Sequence, residues 1–339
     1  MRVSRSAGVV VGDWPASPEV VALVEGAGAL LAWDVLRGDV APAARVHDPG
    51  RASEWLWEVY GDAADAILGD ADEVDVPVVG DWRVRDACRV VAQLNWAEAW
   101  WPASVVAGVP ALDPAVLGAE RAVALSTVEQ VLDDPDAVER ALASVVLLDV
   151  TDPELVGLAD RVGALAEDCG VVLAPAPAPA PAAVAGRSEF ALAAGGVDGT
   201  DGVTVLAGTS TVDWTLAPQG VVDAAAPAEW AVVRRQGATV LEVSVAAGPR
   251  PGPLAARMGE VDVALDEVDG LGRITGSAPV PPTVLLLPPD RRVVTVYQPG
   301  FAVPASPEPG AGARRAAIID YARSRVGSPG ATLTERTAR

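Results

Sequence analysis

The sequence predicts an α+β protein of two domains: an N-terminal α-helical bundle or array, and a C-terminal all-β sandwich that carries a terminal helix. Three observations carry that expectation. The hydrophobic period changes from 3.6 in the first half of the chain to 2 in the second. Between the halves, residues 174–182 alternate alanine with four prolines, inside an uncharged stretch, 173–186. Proline locks φ and removes a backbone donor, so this tract reads as a semi-rigid extended spacer. Charge is also partitioned: residues 1–185 hold 30 acids and 11 arginines, whereas residues 186–339 hold 16 and 14. The expected division is therefore an acidic, Trp-rich helical domain at 1–172, a linker at 173–186 and a β-sandwich at 187–303. A Pro/Gly segment with a helix at 304–327 and a disordered tail at 328–339 complete it. At 339 residues the chain suits two cores better than one.

The helical elements are justified in order. Residues 9–11 (Val-Val-Val) read as a short strand. Ser17-Pro18-Glu19 then supplies an N-cap, a first-turn proline and a first-turn acid. Val20, Val24, Ala27, Leu31 and Val35 follow on one helical face, so a helix is expected there, weakened by Gly26 and Gly28 by about 1 kcal/mol each. Asp48-Pro49 opens a second helix, through Trp55, Trp57 and Tyr60 to Leu68. After an acidic loop, a third runs from Asp81 through Val90, Leu94, Ala97 and Trp101, and Pro102 stops it. Asp113-Pro114, the acidic cluster Asp133/Asp134/Asp136 and Thr151-Asp152-Pro153-Glu154 open three more. Gly170 ends the last of them.

Past the spacer, runs at 189–193, 203–206, 212–216, 230–234, 239–245, 261–265, 273–276, 283–287 and 293–297 read as strands, rich in β-branched and aromatic residues. Gln236-Gly237 and residues 269–272 read as hairpin turns. So many short strands at roughly ten-residue spacing favour a sandwich, with a closed barrel as the alternative. Residues 314–326 form the expected terminal helix, which is basic.

The composition excludes several function classes. His47 is the only histidine, which removes multi-histidine metal centres and leaves a Ser-His-Asp triad only if His47 is its base. It precedes Asp48-Pro49-Gly50, so a solvated loop histidine is the simpler reading. Lysine is absent, so there is no P-loop. The glycine-rich stretch 195–202 lacks the following helix of a dinucleotide fingerprint, and Asp198 and Asp201 there read as turn residues before they read as calcium ligands. Cys88 and Cys169 form no CxxC pair. No cofactor is expected. A net charge of −21 disfavours nucleic acid and anionic membrane, and points to a protein partner with a basic face. With no signal segment and no membrane span in the sequence, the cytoplasm is the expected compartment.

Two features stand out as candidate interaction residues. Eight of ten tryptophans precede the spacer, and Trp96, Trp100 and Trp101 crowd one helix, where core packing competes with an aromatic-lined groove. Asp72, Glu73 and Asp75 form an exposed-looking acidic loop. The leading functional expectation is a non-enzymatic interaction or adaptor protein. The alternatives are a carboxylate-based, metal-assisted enzyme in the helical half and a carbohydrate-type ligand binder using Trp214 or Trp230.

The stretch from Leu94-Asn95-Trp96 to Trp100-Trp101-Pro102-Ala103-Ser104, and that from Val203 to Gly208 with Val212-Asp213-Trp214, resemble segments of uncharacterised two-part proteins of high-GC bacteria. The resemblance touches both halves. It implies the two-part division and no activity, cofactor or catalytic residue.

Overall fold

The stretch expected to form the first helix, Val20 to Val35, is a β-hairpin. Its strands β3 (Val21–Gly26) and β4 (Ala29–Asp34) pair antiparallel from Val21 opposite Asp34 to Gly26 opposite Ala29. Ala22, Val24 and Gly26 are buried while Leu23 and Glu25 are exposed, which is a period of two. Gly26 and Gly28 are the reason. Gly28 has φ +80° and turns the chain, a conformation open to glycine at little cost. At Gly26 a Cβ would stand 2.7 Å from the Trp55 ring. The two residues that weaken a helix are the ones this hairpin requires.

The protein is a computed structural model describing residues 1–5, 8–77, 82–148, 152–175, 202–235, 237–250, 252–286, 288–302 and 308–338. The spacer beyond Pro175, the expected strand at 189–193, the glycine-rich turn at 195–201 with Asp198 and Asp201, and Gln236 lie outside the described residues. The chain divides into two units, each assembled from separate segments. One comprises Met1–Ala99, Leu112–Ala178 and Arg325–Ala338; the other comprises Trp100–Ala111 and Pro179–Ser324.

The first unit is mixed, which corrects the expected helical bundle. With β1 (Val3–Ser4), β2 (Val9–Val11) and β5 (Ala43–Val46), the hairpin makes an antiparallel sheet ordered β1-β2-β5-β4-β3. Its inner face is Val11, Ala22, Val24, Ala29, Leu31, Trp33, Ala44 and Val46, all buried. Short helices follow in place of one long one: α1 (Pro49–Ala52), α2 (Leu56–Tyr60) and α3 (Ala63–Leu68), broken at Gly61 with φ +59°. Helix α4 (Arg83–Trp100) then buries Cys88, Val91, Leu94, Trp96 and Ala97. Helices α5 (Pro114–Thr127), α6 (Ala137–Ala143) and α7 (Pro153–Asp168) form a further cluster around Val116, Ala119, Leu142, Leu158 and Val162. Asp113 and Asp152 cap α5 and α7 by accepting the Ala115 and Glu154 N–H groups at 2.8 and 3.0 Å.

The second unit is built on two antiparallel sheets. The larger orders β11 (Glu267–Val268), β12 (Arg273–Pro279), β8 (Ala238–Ala246), β7 (Ala228–Arg235) and β6 (Val203–Ser210). The smaller orders β10 (Val261–Leu265), β9 (Leu254–Met258) and β13 (Thr295–Tyr297). One core joins them, with Val232, Leu241, Val243 and Val245 from the larger sheet and Ala256, Met258, Val263 and Val296 from the smaller. Two expected strands take other forms. Residues 212–216 are a loop, since the Asp213 carboxylate accepts the Thr215 N–H at 3.0 Å and closes a turn. Pro281-Pro282 starts the short helix α8 (Pro282–Leu285) where a strand at 283–287 was expected. Helix α9 (Ala311–Arg325) is anchored in this unit by buried Arg315, which pairs with Asp213 at 2.9 Å and donates to the Val212 carbonyl at 2.7 Å.

Residues 328–338, expected to be disordered, fold into the first unit with a short helix α10 (Leu333–Arg336). Thr332 and Glu335 form a capping box, and Leu333 enters the α5–α7 cluster. Polar composition suggests disorder; the fit of this segment to its seat overrides it.

Candidate interaction site

The outer face of the first unit's sheet carries a groove of 640 Å³, lined by Trp14, Pro15, Ala16, Pro18, Val21, Leu23, Leu30 and Arg45. Register places its floor. Glu25 pairs with Leu30 and Leu30 with Arg45, while Leu23 pairs with Ala32 and Val21 with Asp34. All of these side chains therefore leave the sheet on the side opposite the core. Leu23 is 37% exposed, a large apolar side chain set in a wall of proline and indole.

The wall comes from the loop after β2. Its Trp14 indole lies under the Arg45 guanidinium, 4.1 Å from the carbon to the ring centroid. Such stacking is worth about 0.5–1 kcal/mol at an exposed site and limits the rotamers of both side chains. Pro15 and Pro18 fix φ on either side of Ser17, and a single 3-10 turn (Pro18–Val20) leads into β3. Helix α4 holds this arrangement from behind. The Trp96 indole N–H donates to the Glu19 carbonyl at 2.8 Å, and the Asn95 amide donates to the Leu23 carbonyl at 3.3 Å.

The residues singled out from sequence take other places. Trp96 is 1% exposed and Trp101 2%, so both are core side chains; the Trp101 indole donates to the Pro110 carbonyl at 2.9 Å. Trp100 is half-buried. With Trp96 and Trp101 buried, the expected exposed aromatic surface of the three is not formed. Asp72, Glu73 and Asp75 are exposed. Their segment adds to the sheet edge through backbone, with Val3 N–H donating to the Asp72 carbonyl and Val74 N–H to the Met1 carbonyl, each at 2.8 Å. His47 is exposed. Asp133 pairs with Arg51 and Asp134 with Arg140, the latter pairing holding the Asp134 carboxyl below its ordinary range. Trp214 and Trp230 are buried. Among the described residues no three His, Cys, Asp or Glu side chains stand close enough to hold a metal ion.

No family model matches the chain, and no curated protein and no solved structure matches it significantly. The site therefore rests on its own chemistry. Among the residues lining the groove the polar side chains are the Trp14 indole and the Arg45 guanidinium, neither of them a nucleophile or a proton acceptor at neutral pH. What the lining can do is bury apolar side chains and stack on a planar group. Trp14 and Arg45 were not legible as a pair, since their meeting depends on the register of strands that the helical period conceals. The available signal was Trp14-Pro15 with Pro18 close behind, an aromatic held in a proline-stiffened loop.

Proposed function

We propose that this chain is a non-catalytic interaction protein, and that the Trp14–Arg45 groove is where its first unit engages a protein partner. The observation that carries the reading is the open apolar floor of Val21, Leu23 and Leu30 beside an indole already held by a stacked guanidinium. A pre-positioned aromatic loses little rotamer entropy on binding, which favours anchors of this kind at interfaces. Glu25 and Asp34 share the outer face with the floor, and residues 1–185 carry 19 more acids than arginines. The partner in this reading offers apolar anchors rimmed by basic residues. The cytoplasm is the proposed compartment: both cysteines are unpaired, and among the described residues no helix is long and apolar enough to cross a membrane.

The test uses labelled synthetic peptides with one aliphatic–aromatic core, flanked either by arginines or by glutamates, titrated into the full chain by fluorescence anisotropy. The arginine-flanked peptide is expected to bind at least about tenfold more tightly, and Trp14→Ala to cost about 2 kcal/mol, on the scale of a hot-spot truncation. Equal binding of both peptides, or binding unchanged by Trp14→Ala in a chain of unchanged circular dichroism, would contradict it.

A further inference from the structure

A different part of the first unit shows a second kind of recognition. Residues 331–336 are held by side chains aimed at specific groups of the segment rather than by general packing. The Glu120 carboxylate on α5 accepts three donors from it: the Leu333 N–H at 2.7 Å, the Thr334 N–H at 2.8 Å and the Thr334 hydroxyl at 2.7 Å. Gln93 on α4 donates to Glu335 Oε1 at 2.7 Å. Arg325 donates to Glu335 Oε2 at 2.6 Å, and Arg336 reaches Glu154 on α7 at 3.0 Å. Glu335 is fully buried, a costly place for a carboxylate unless its acceptors are filled. Leu333 supplies the apolar anchor among Val116, Ala119 and Ala122. Leu333, Thr334, Glu335 and Arg336 are thus each read by their own feature of the seat, while Thr332 caps the turn internally, in the way an amphipathic helical turn is read in a groove.

The segment has little reason to be ordered by itself. Its single helical turn is far below the length at which an isolated helix persists in water, so its order comes from the seat. The stretch that leads to it, Val326-Gly327-Ser328-Pro329-Gly330, turns at Gly327 with φ +68°. Charge agrees too: Arg336 of the segment pairs with Glu154 in a unit rich in acids.

We propose that this seat is a peptide-recognition site whose ligand is the Thr-Leu-Thr-Glu-Arg segment, and that it accepts that segment from a second copy of the chain as well as from its own. A ligand arriving in trans competes with the one already tethered, so its apparent affinity falls by the fraction of seats that stand open. Weakening the tethered segment while leaving the seat intact must therefore strengthen binding in trans. Substitution of the seat must do the opposite.

The experiment titrates a labelled peptide of residues 328–339 into the full chain. Saturable binding to the wild-type chain is expected, becoming at least about tenfold tighter for the Glu335→Gln chain, whose own segment has lost its charged contact to Arg325. Arg336→Ala, which removes the exposed pair with Glu154 and a donor to the Ala331 carbonyl, should tighten it less. Glu120→Ala in the chain should abolish binding. A peptide carrying Glu335→Ala should fail against every chain, a control that does not depend on any variant folding. Absence of binding to both the wild-type and Glu335→Gln chains, or equal binding of the Glu335→Ala peptide, would overturn the proposal.

Discussion

Each unit presses a tryptophan ring onto a glycine, but the two do it differently. In the first, Trp55 stands just before α2 and covers Gly26 on β3, with its indole N–H donating to the Ala27 carbonyl at 2.8 Å. In the second, Trp230 and Gly208 are register partners on β7 and β6. A Cβ on Gly208 would stand 2.6 Å from the Trp230 ring, and the buried Trp230 Nε1 has no hydrogen-bond partner among the described residues. Covering a strand glycine with an aromatic ring recovers burial that glycine cannot supply. The first unit couples that burial to a satisfied donor that ties helix to hairpin. In the second the donor's desolvation is a standing cost.

The largest effects are expected at the two glycines. Gly26→Ala and Gly208→Ala should each cost about 1–3 kcal/mol, since a rigid ring must move within a packed core. Urea unfolding would show it, and a loss at one site only would mean that the two contacts are not equivalent. Gly26→Ala should be the worse, because the Val131 carbonyl also stands 3.1 Å from its Cβ position.

A sharper discrimination follows from Trp→Phe. Trp55→Phe leaves the Ala27 carbonyl without its indole donor and should cost about 1–2 kcal/mol more than Trp230→Phe, which removes an unpaired donor along with the lost ring area. Equal losses in denaturant titrations would show that the indole N–H of Trp55 adds nothing.

These pairs also show how much was legible from residues. Strands β7 and β8 follow from period-two runs on either side of a turn, because each residue's partner lies close in sequence. The caps at Asp113 and Asp152 were legible for the same reason, being local. The β3–β4 hairpin was not. Val20, Val24, Ala27, Leu31 and Val35 satisfy a helical period by coincidence, and what decides the matter is Trp55, nearly thirty residues onward, which needs a strand glycine beneath it. The groove went unseen with the hairpin, since Leu23, Leu30 and Arg45 share a face only in strand register. The acidic loop and the α4 tryptophans are visible in composition alone. Burial of Trp96 and Trp101, and backbone pairing at Asp72 and Val74, are tertiary facts with no local signature.

Smaller effects separate the units chemically. Burial, and Glu58 nearby, push the Cys88 thiol up to about 12, while Cys169 is raised by its own burial and by Glu139, Glu129 and Asp168. At pH 8 a thiol reagent should modify Cys169 slowly and Cys88 only on unfolding of the first unit, because the thiolate is the reactive form. In the second unit, Asp269 is held below its ordinary range despite burial, which pushes the other way, because it accepts from the Arg273 backbone and side chain and from the Leu271 N–H. A carboxyl whose folded pKa is depressed stabilises above its unfolded pKa, and that contribution disappears as pH falls through the folded value. Asp269→Asn should therefore flatten acid destabilisation of the wild-type chain slightly, as read from thermal melts between pH 6 and about 2.

The most direct test of the account is the indole Nε1–H signal of Trp14, assigned by its loss in Trp14→Phe and followed by nitrogen-15 NMR during addition of the arginine-flanked apolar peptide. The account predicts that this resonance moves and saturates while those of the buried Trp55, Trp96 and Trp230 stay in place. Movement of the buried indoles with Trp14 unmoved, or no saturable shift in any of the four, would contradict it.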